Sequence, residues 1–529
     1  MKKIFLSAAV PALFALLAGC SATVTRAPDA NTTVSRTRLP KQEAPLLKNL
    51  KTDTPANGRS AFCPLADPRD AFAARLYLVD HATVSLDVQY YIYEDDQTGN
   101  YFADRLYAAA ERGVHVRILI DDLVTTGRDR EWKMLAAHPN IELRVFNPNG
   151  YRRFFRYMAL LLDVGRLGKR MHNKSLIADG AAAIVGGRNI GDVYYAANDD
   201  TFFVDYDILA TGAVVPEIYT MFDDYWNSEW AVPSSEVLEA RYDAAELAAA
   251  EKTMHRLAAA FETSEIFRAV RRSKFARELE TGSLVLTVAD AQFYYDDPAK
   301  VRSDESDTRT HITSRLDRDV GHVDEELIII SPYFIPSAQM LEAVRELREK
   351  NVRVIVITNS LASTDVFAVY SGYIKTLRPL LAAGVRLYEI RPNSFDRFRA
   401  SEKWLRSHRT SLHTKMMIFD GERLGIGSAN LDPRSFKLNT ETFMVIRSRK
   451  LAESERDLLV RELTGEDLYR VEWRPYPYDP LYGYERSGPV WIVSGPDGNE
   501  TVHYRPPEAG FWRTFGMNVL TYFPIDGYL

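Results

Sequence analysis

Apolar residues along the first half of this chain follow two spacings in turn. Residues 70–82 and 99–113 place them three and four positions apart, which predicts amphipathic helices. Residues 83–93, 114–121 and 140–148 are shorter apolar runs typical of strands. Strands that alternate with helices predict a parallel or mixed sheet in an α/β domain.

The second half of the chain repeats this order. A strand at 326–336, a helix at 339–351 and a strand at 352–359 are followed by a helix near 370–383 and a strand at 384–392. Matching strands end in the dipeptides "NP" and "RP", which stand 244 residues apart. We therefore predict an internal repeat that covers most of both halves.

Shifts in composition divide the chain into six segments. An Ala-, Glu- and Leu-rich stretch separates the repeats, and an aromatic, Pro-rich stretch follows the second. The predicted segments are a signal peptide (1–20), a disordered tether (21–60), the first repeat (61–232), a helical connector (233–283), the second repeat (284–470) and a C-terminal aromatic extension (471–529).

The N-terminus has the pattern of an export signal. Lys2 and Lys3 precede an apolar stretch that ends at Ala18 and is too short for a good transmembrane helix. The sequence "LAGC", ending at Cys20, resembles a bacterial lipobox, and an uncleaved signal anchor is the alternative. The resemblance implies a lipoprotein anchored by lipid on Cys20 on the periplasmic side of a bacterial cell envelope. Ser21 resembles the outer-membrane sorting pattern.

Composition narrows the class of protein. The 529 residues are 46% hydrophobic and 26% charged with a net charge of −6, which is typical of globular domains. This balance argues against a dedicated nucleic-acid binder, whose domain would be strongly basic. If Cys20 carries lipid, the other cysteine, Cys63, has no partner, so we expect no internal disulfide.

A spaced set of polar residues occurs once in each half. The segments "MHNKSLIADG" and "LHTKMMIFDG" carry His, Lys and Asp at the same offsets, and each is followed by an Asn 17 residues after the His. Because alternate residues of a strand face the same way, His and Lys project together. The two sets are His172, Lys174, Asp179 and Asn189, and His413, Lys415, Asp420 and Asn430.

These residue types suit a tetrahedral phosphate. Lys supplies a positive charge, Asn an amide donor, and imidazole a nucleophile or a proton. A metal site fits poorly because His-x-Lys offers one ligand beside a repelling cation, so no metal or other cofactor is expected. If the repeats pack face to face, one neutral His would attack phosphorus while the other, protonated, serves the leaving oxygen.

Each imidazole needs a carboxylate that fixes its tautomer. Alignment of "FVDYDILATG" with "NTETFMVIRS" places Asp205 opposite Glu441, each at the start of a strand, and these are the candidates. The alternative for both is a solvated strand end. Asp179 and Asp420, although members of the catalytic motif, are expected to make structural contacts at strand ends.

The double HxK(x)4D(x)9N pattern resembles the phospholipase D superfamily. That resemblance implies two homologous α/β/α repeats with mixed sheets, packed about a pseudo-two-fold axis. It also implies a covalent phosphohistidine intermediate formed without a metal, with His172 as nucleophile and His413 as general acid/base. The segments "LDVQYYIY", "VGGRNIGD", "DDPAK" and "LNTE" are similar to bacterial cardiolipin synthases of the C type, although the lipobox and tether depart from that type.

The segments before the two motifs and the C-terminal tail indicate the class of substrate. Basic, aromatic-containing segments at 151–170 and 394–409 precede the two motifs and resemble amphipathic segments on an anionic membrane, although single-stranded nucleic acid is an alternative ligand. A Leu run within 151–170 favours lipid. The tail aromatics either anchor at a bilayer interface or pack against the body; they include Phe511, Trp512, Phe515, Tyr522 and Phe523.

The leading hypothesis is a phosphatidyltransferase that makes cardiolipin. The donor would be phosphatidylglycerol or phosphatidylethanolamine, the acceptor phosphatidylglycerol, and no energy cofactor is needed because one phosphodiester replaces another. Alternatives are a phospholipase D-type hydrolase that releases phosphatidic acid, a phosphodiesterase or nuclease, and a non-catalytic surface lipoprotein. The expected partners are phospholipid and an anionic membrane surface but not nucleic acid, and a helper protein is left open.

Overall fold

The computed structural model describes residues 44–123, 128–149, 168–197, 201–238, 242–304, 307–320, 322–392, 394, 409–463, 465–477, 486–495 and 497–523. The predicted signal peptide with Cys20, most of the tether, and residues 151–167 and 395–408 of the two basic segments lie outside these residues.

The first repeat is a mixed sheet flanked by helices. The elements are β1 (Lys51–Thr52), β2 (Ser60–Leu65), α1 (Pro68–His81), β3 (Ser85–Tyr90), α2 (Gln97–Glu111), β4 (His115–Asp121), α3 (Asp129–Ala136), β5 (Ile141–Phe146), β6 (Ser175–Ala178), β7 (Ala182–Gly186), β8 (Thr201–Val204), β9 (Asp207–Gly212), α4 (Val215–Asn227) and β10 (Ala231–Pro233). The sheet runs in the order β10-β5-β4-β3-β6-β7-β9-β2, in which β3, β4 and β5 are parallel.

The connector is helical, as its composition predicts. It consists of α5 (Ser234–Val237), α6 (Ala244–Glu262), α7 (Glu265–Arg271) and α8 (Lys274–Glu280). A capping box between Asp243 and Glu246 begins α6, which packs against α2 and α3. The connector therefore covers the helical face of the first repeat.

The second repeat consists of β11 (Val285–Tyr295), α9 (Thr313–Val320), β12 (Glu326–Ile330), α10 (Ala338–Glu349), β13 (Arg353–Asn359), α11 (Phe367–Ala382), β14 (Arg386–Ile390), β15 (Arg409–Leu412), β16 (Met416–Phe419), β17 (Arg423–Gly427), α12 (Pro433–Lys437), β18 (Thr442–Arg447) and α13 (Arg449–Glu462). It reproduces the sheet of the first repeat in the order β14-β13-β12-β16-β17-β18-β11, with β12, β13 and β14 parallel. The chain then adds β19 (Leu468–Pro475), β20 (Ser487–Ser494), β21 (Glu500–His503) and α14 (Phe511–Thr521).

Strand β11 joins the two sheets. Its residues 287–289 pair with β2 of the first repeat, and its residues 290–295 pair with β18 of the second. One buried apolar cluster also draws on both repeats, with Ile208 and Phe222 from the first and Ile418 and Met444 from the second. The predicted fold of two α/β repeats is therefore confirmed, and the interface between the repeats is a continuous core.

Two predicted boundaries differ from the structure. Residues 44–60, assigned to the disordered tether, pack on the body: Leu46 is buried, its carbonyl accepts a hydrogen bond from Tyr77, and β1 pairs with β11. Burial of one leucine and strand pairing order a segment whose composition alone favours disorder. The boundary at 470 falls inside β19, which extends the sheet through β14.

Among the described residues, no helix is both long and apolar enough to cross a membrane.

Candidate active site

The two motifs meet because the segment that leads into each motif strand pairs with the opposite repeat. The amide of His172 donates to the carbonyl of Thr440 over 2.9 Å, and the amide of Thr440 donates to the carbonyl of Arg170. In the same way β15 runs parallel to β8, and the amide of His413 donates to the carbonyl of Val204 over 2.7 Å. Both histidines are thereby placed beside the partner repeat.

These cross-repeat pairings bring each histidine to a carboxylate. Nδ1 of His172 lies 2.8 Å from Oε2 of Glu441, and Nδ1 of His413 lies 2.5 Å from Oδ2 of Asp205. All four side chains are buried. Since an ionised carboxylate only accepts hydrogen bonds, each Nδ1 carries a proton and Nε2 is left for chemistry. The structure thus brings both predicted carboxylates to the histidines, each across the repeat boundary.

The two motif lysines are buried at the same point. Nζ of Lys174 donates to the carbonyl of His172, and Nζ of Lys415 donates to the carbonyl of His413. Burial lowers the pKa of both lysines, and the charges of Glu441 and Asp205 oppose this shift. A site that holds two lysines in low dielectric favours a ligand with negative charge.

The electrostatics of the two histidines differ. Burial, reinforced by the charges of Lys174 and Lys415, holds the pKa of His172 well below its ordinary value. Burial and Lys415 also lower the pKa of His413, but the charge of Asp205 and its hydrogen bond oppose them. His172 is therefore the more strongly held in its neutral form.

The two carboxylates also differ. Burial raises the pKa of Glu441, which accepts hydrogen bonds from the hydroxyls of Ser428 (2.6 Å) and Ser435 (2.7 Å). Burial acts in the same direction on Asp205, but the charges of His413 and Lys415 prevail and lower its pKa. A firmly ionised Asp205 stabilises the imidazolium form of His413.

A buried ion pair supports Glu441. Nζ of Lys300 lies 2.8 Å from Oδ2 of Asp296 and also donates to the carbonyl of Ser435. The same Asp296 oxygen accepts the backbone amide of Glu441 over 2.8 Å. The pair therefore fixes both the backbone of Glu441 and the serine that binds its carboxylate. The segment "DDPAK", which carries part of the family resemblance, does not reveal this supporting role by itself, because nothing in its sequence shows that it lies next to Glu441.

The two motif asparagines have different surroundings. Asn189 is fully buried: Oδ1 accepts the amide of Ile92 and Nδ2 donates to the hydroxyl of Tyr194 over 2.8 Å. The ring of Tyr194 contacts His413, with centroids 5.4 Å apart. Asn430 is also buried, but its Oδ1 has no hydrogen-bond partner among the described residues. Asn189 thus supports an aromatic wall, whereas Oδ1 of Asn430 retains the capacity to accept a hydrogen bond from a ligand.

Asp179 and Asp420, the aspartates of the catalytic motif, bind backbone amides of neighbouring strands. The Asp179 carboxylate accepts backbone amides of residues 83–85, and the Asp420 carboxylate accepts those of residues 324–326. Each follows its lysine by five residues, about 16 Å along an extended strand. They hold the motif strands to β3 and β12, as expected of structural contacts at strand ends.

Aromatic rings that the sequence did not single out enclose the histidines. The ring of Tyr91 lies 5.0 Å from that of His172, and Nζ of Lys174 lies 5.3 Å from the Tyr91 centroid. Phe203 stacks on His413 with centroids 5.2 Å apart. These rings fix the imidazoles and exclude water from one side of each.

Comparison with known proteins follows the same two-repeat division. The family model described as cardiolipin synthase, PLD-like domain, matches residues 76–226 and 318–459. Cardiolipin synthase C of Escherichia coli (strain K12) is 36% identical over 480 residues, which are 89% of this chain and 96% of that protein. The major cardiolipin synthase ClsA of Bacillus subtilis (strain 168) is 26% identical over 419 residues, 77% of this chain and 71% of that protein.

A similar fold occurs in a solved structure. The crystal structure of phosphatidylserine synthase from Haemophilus influenzae Rd KW20 superposes with a TM-score of 0.52 at 14% identity. The superposition covers 77% of this chain and 89% of that one.

Proposed function

The chain belongs to the cardiolipin synthase family with phospholipase D-like domains, and on this premise we propose that it is a phosphatidyltransferase that makes cardiolipin. One observation carries the proposal: two buried histidines, each hydrogen-bonded to a carboxylate of the opposite repeat, lie beside two buried lysines. That set can bind a phosphodiester and perform two successive displacements on it. The lipid substrate is inferred from the relatives.

In the first step, Nε2 of His172 attacks the donor phosphorus. A nitrogen–phosphorus bond forms and the bond from phosphorus to the headgroup oxygen breaks, while His413 gives its proton to that oxygen. The low pKa of His172 supports its role as nucleophile, because only neutral imidazole has the lone pair. The ionised Asp205 supports His413 as the acid.

In the second step, a glycerol hydroxyl of phosphatidylglycerol loses its proton to His413 and attacks phosphorus. The nitrogen–phosphorus bond breaks, which restores His172 and gives cardiolipin. Lys174 and Lys415 would neutralise charge on the non-bridging oxygens in both transition states, and Nδ2 of Asn430 would donate a hydrogen bond to them. One phosphodiester replaces another, so the reaction balances without a cofactor.

Product analysis tests the reaction. Purified protein is incubated with labelled phosphatidylglycerol, alone and mixed with phosphatidylethanolamine, and the lipids are separated by chromatography. Cardiolipin with released glycerol or ethanolamine is expected and names the donor. Phosphatidic acid alone would replace the proposal with a hydrolase. His172→Ala, which removes the nucleophile, is the matched negative control.

The N-terminal sequence adds a proposal on location. We propose that Cys20 is lipidated and holds the protein on the periplasmic side of the envelope, in the outer membrane, where an anionic membrane surface surrounds it. Metabolic labelling with a fatty acid is expected to mark the wild-type protein and not Cys20→Ala. Equal labelling of both proteins would contradict the proposal.

A further inference from the structure

Helix α14 presents a row of exposed aromatic side chains. Phe511, Trp512 and Tyr522 expose 72%, 78% and 90% of their surface, whereas Met517 of the same helix is buried. The helix packs against α11, and Gly516, which lacks a side chain, lets the ring of Phe367 lie against its backbone. We define the aromatic face by its residues: Val366, Phe367, Phe511, Trp512, Phe515, Val519, Tyr522 and Phe523.

Most of the exposed large hydrophobic side chains of the described residues lie on the aromatic face. Thirteen large hydrophobic side chains are exposed among the described residues, and eight of them belong to this face. The rings of Phe511, Trp512 and Phe515 contact one another at centroid distances of 5.2 to 6.3 Å. A contiguous exposed apolar patch of this kind marks an interaction surface, because apolar side chains that stay exposed to water add nothing to the stability of the fold.

The aromatic face is tied to the catalytic site through one loop. Nη1 of Arg513, on α14, donates to the carbonyls of Leu361 and Thr364. Asn359, just before this loop, donates to the carbonyl of Leu412 and accepts the Leu412 amide, both over 2.9 Å. His413 follows Leu412 in the chain, so the loop that holds α14 is adjacent to the site.

We propose that the aromatic face inserts into the bilayer that contains the phospholipid substrate, and that this docking presents the catalytic site to the membrane surface. Trp and Tyr concentrate at the membrane–water interface, and Phe side chains reach below the headgroups. Lys375, exposed on α11 beside the carbonyl of Phe523, adds a positive charge for anionic headgroups. The inference rests on the proposed function, since it takes the substrate to be a membrane phospholipid.

A bilayer fits this position better than a second copy of the chain does. The substrate of the proposed reaction has two acyl chains and must leave a membrane to reach the histidines. A surface that binds lipid next to the loop at residues 361–364, which lies beside the catalytic site, shortens that path. A second copy seated on the aromatic face would cover this same edge with protein.

The first test measures the depth of Trp512 in the membrane. The full-length protein is mixed with vesicles of phosphatidylglycerol and phosphatidylethanolamine that carry brominated acyl chains, which quench tryptophan fluorescence at short range. Quenching is expected in the wild-type protein and in Trp473→Tyr, and is expected to be largely lost in Trp512→Tyr. Equal quenching in all three proteins, or none in any, would overturn the inference.

The second test compares two physical states of the substrate. The variant Phe511→Ser/Trp512→Ser/Phe515→Ser is expected to turn over vesicle phosphatidylglycerol at least about tenfold more slowly than wild type. Its turnover of dispersed dihexanoyl phosphatidylglycerol, which needs no membrane, should stay within about twofold. Val460→Ser, an equally exposed apolar residue on α13, is the matched control and should lose neither activity. Unchanged vesicle turnover in the triple variant would overturn the inference.

The outcomes separate the inference from the proposed function. If wild-type protein turns over neither lipid, the proposed function fails, and quenching of Trp512 still decides whether the aromatic face enters the bilayer. If the wild-type protein is a dimer and the triple variant a monomer, with Trp512 unquenched by vesicles, the aromatic face is a contact between copies of the chain and the inference is overturned.

Discussion

Nδ1 of His413, in the second repeat, donates a hydrogen bond over 2.5 Å to Oδ2 of Asp205, in the first repeat. The relation between His172 and Glu441 is the same with the repeats exchanged. Each half of the protein therefore supplies the group that orients the other half's imidazole. The chemistry depends on the interface between the repeats as much as on the motifs.

The roles of the two histidines can be separated with an activated donor. A phosphatidyl ester of p-nitrophenol has a leaving oxygen that needs no proton, so His413→Ala should still form a phosphoprotein with it, whereas His172→Ala should form none. The measurement is acid-quenched labelling of the protein together with release of p-nitrophenolate. His322→Ala, an exposed histidine, is the control. Labelling of His172→Ala but not of His413→Ala would reverse the assignment.

Asp205→Asn should change the pH profile as well as the rate. The charge of Asp205 raises the pKa of His413, so its removal lets His413 lose its proton at lower pH. The alkaline limb of the kcat profile for an unactivated donor should therefore move to lower pH, with kcat lower by about 10²- to 10⁴-fold. Asp224→Asn, an exposed carboxylate on α4, should leave both unchanged. An unmoved alkaline limb would contradict the role of Asp205.

Lys300 should act on catalysis through Glu441. Lys300→Met leaves Asp296 buried without its cation, where burial already raises the pKa of that carboxyl to about 6, and this should cost about 3–5 kcal/mol in the free energy of unfolding. The double variant Asp296→Asn/Lys300→Met removes both charges and should recover most of that stability. Its kcat should remain about tenfold below wild type with KM nearly unchanged, because Glu441 is less firmly held. Full kcat in the stable double variant would show that the ion pair serves folding alone.

Asp179→Asn and Asp420→Asn should weaken the fold and spare the chemistry. Each carboxylate accepts backbone amides at the start of a neighbouring strand, so loss of its charge should cost about 1–3 kcal/mol in denaturant unfolding. Activity per folded molecule should stay within about twofold of wild type. Lys174→Met is the contrast, with activity lost and the fold retained. A large drop in kcat at full stability in the Asp variants would place them in the site after all.

Glu389 should make stability depend on pH. Its carboxylate accepts hydrogen bonds from Tyr370, Tyr373 and Trp491, and burial raises its pKa to about 8. The folded state thus holds a proton that the unfolded state releases above about pH 4.3, so this group's contribution falls as pH rises and is constant above about pH 8. In thermal unfolding, the stability of Glu389→Gln relative to wild type should therefore increase as pH rises from about 4.3 to about 8. A constant difference between the two proteins from pH 4 to 9 would rule this out.

The sequence allowed the repeat, the parallel strands and the motif offsets to be predicted, because these depend on local periodicity and spacing. The strand at 326–336 and the helix at 339–351, for example, correspond to β12 and α10. Asp205 and Glu441 could be found by aligning one repeat with the other. Internal duplication therefore gave information that a single copy would not have held.

Other features depend on contacts between distant residues, which no local pattern reveals. Lys300 donates to the carbonyl of Ser435 across 135 positions, and Leu46 is buried against Tyr77. The sequence also left open whether the tail aromatics pack inward, and the exposure of Trp512 answers that for the described residues. Burial is a property of the assembled fold, so these points had to come from the structure.

The exchange of carboxylates between repeats also bears on ancestry. A single-repeat ancestor with the same contacts could have oriented its histidine only by pairing with a second copy of itself, as a symmetric dimer. Once two gene copies are fused, the two halves of the protein can diverge in sequence. The descendants of one carboxylate are now an aspartate in one half and a glutamate in the other, so two once-equivalent imidazoles have different surroundings.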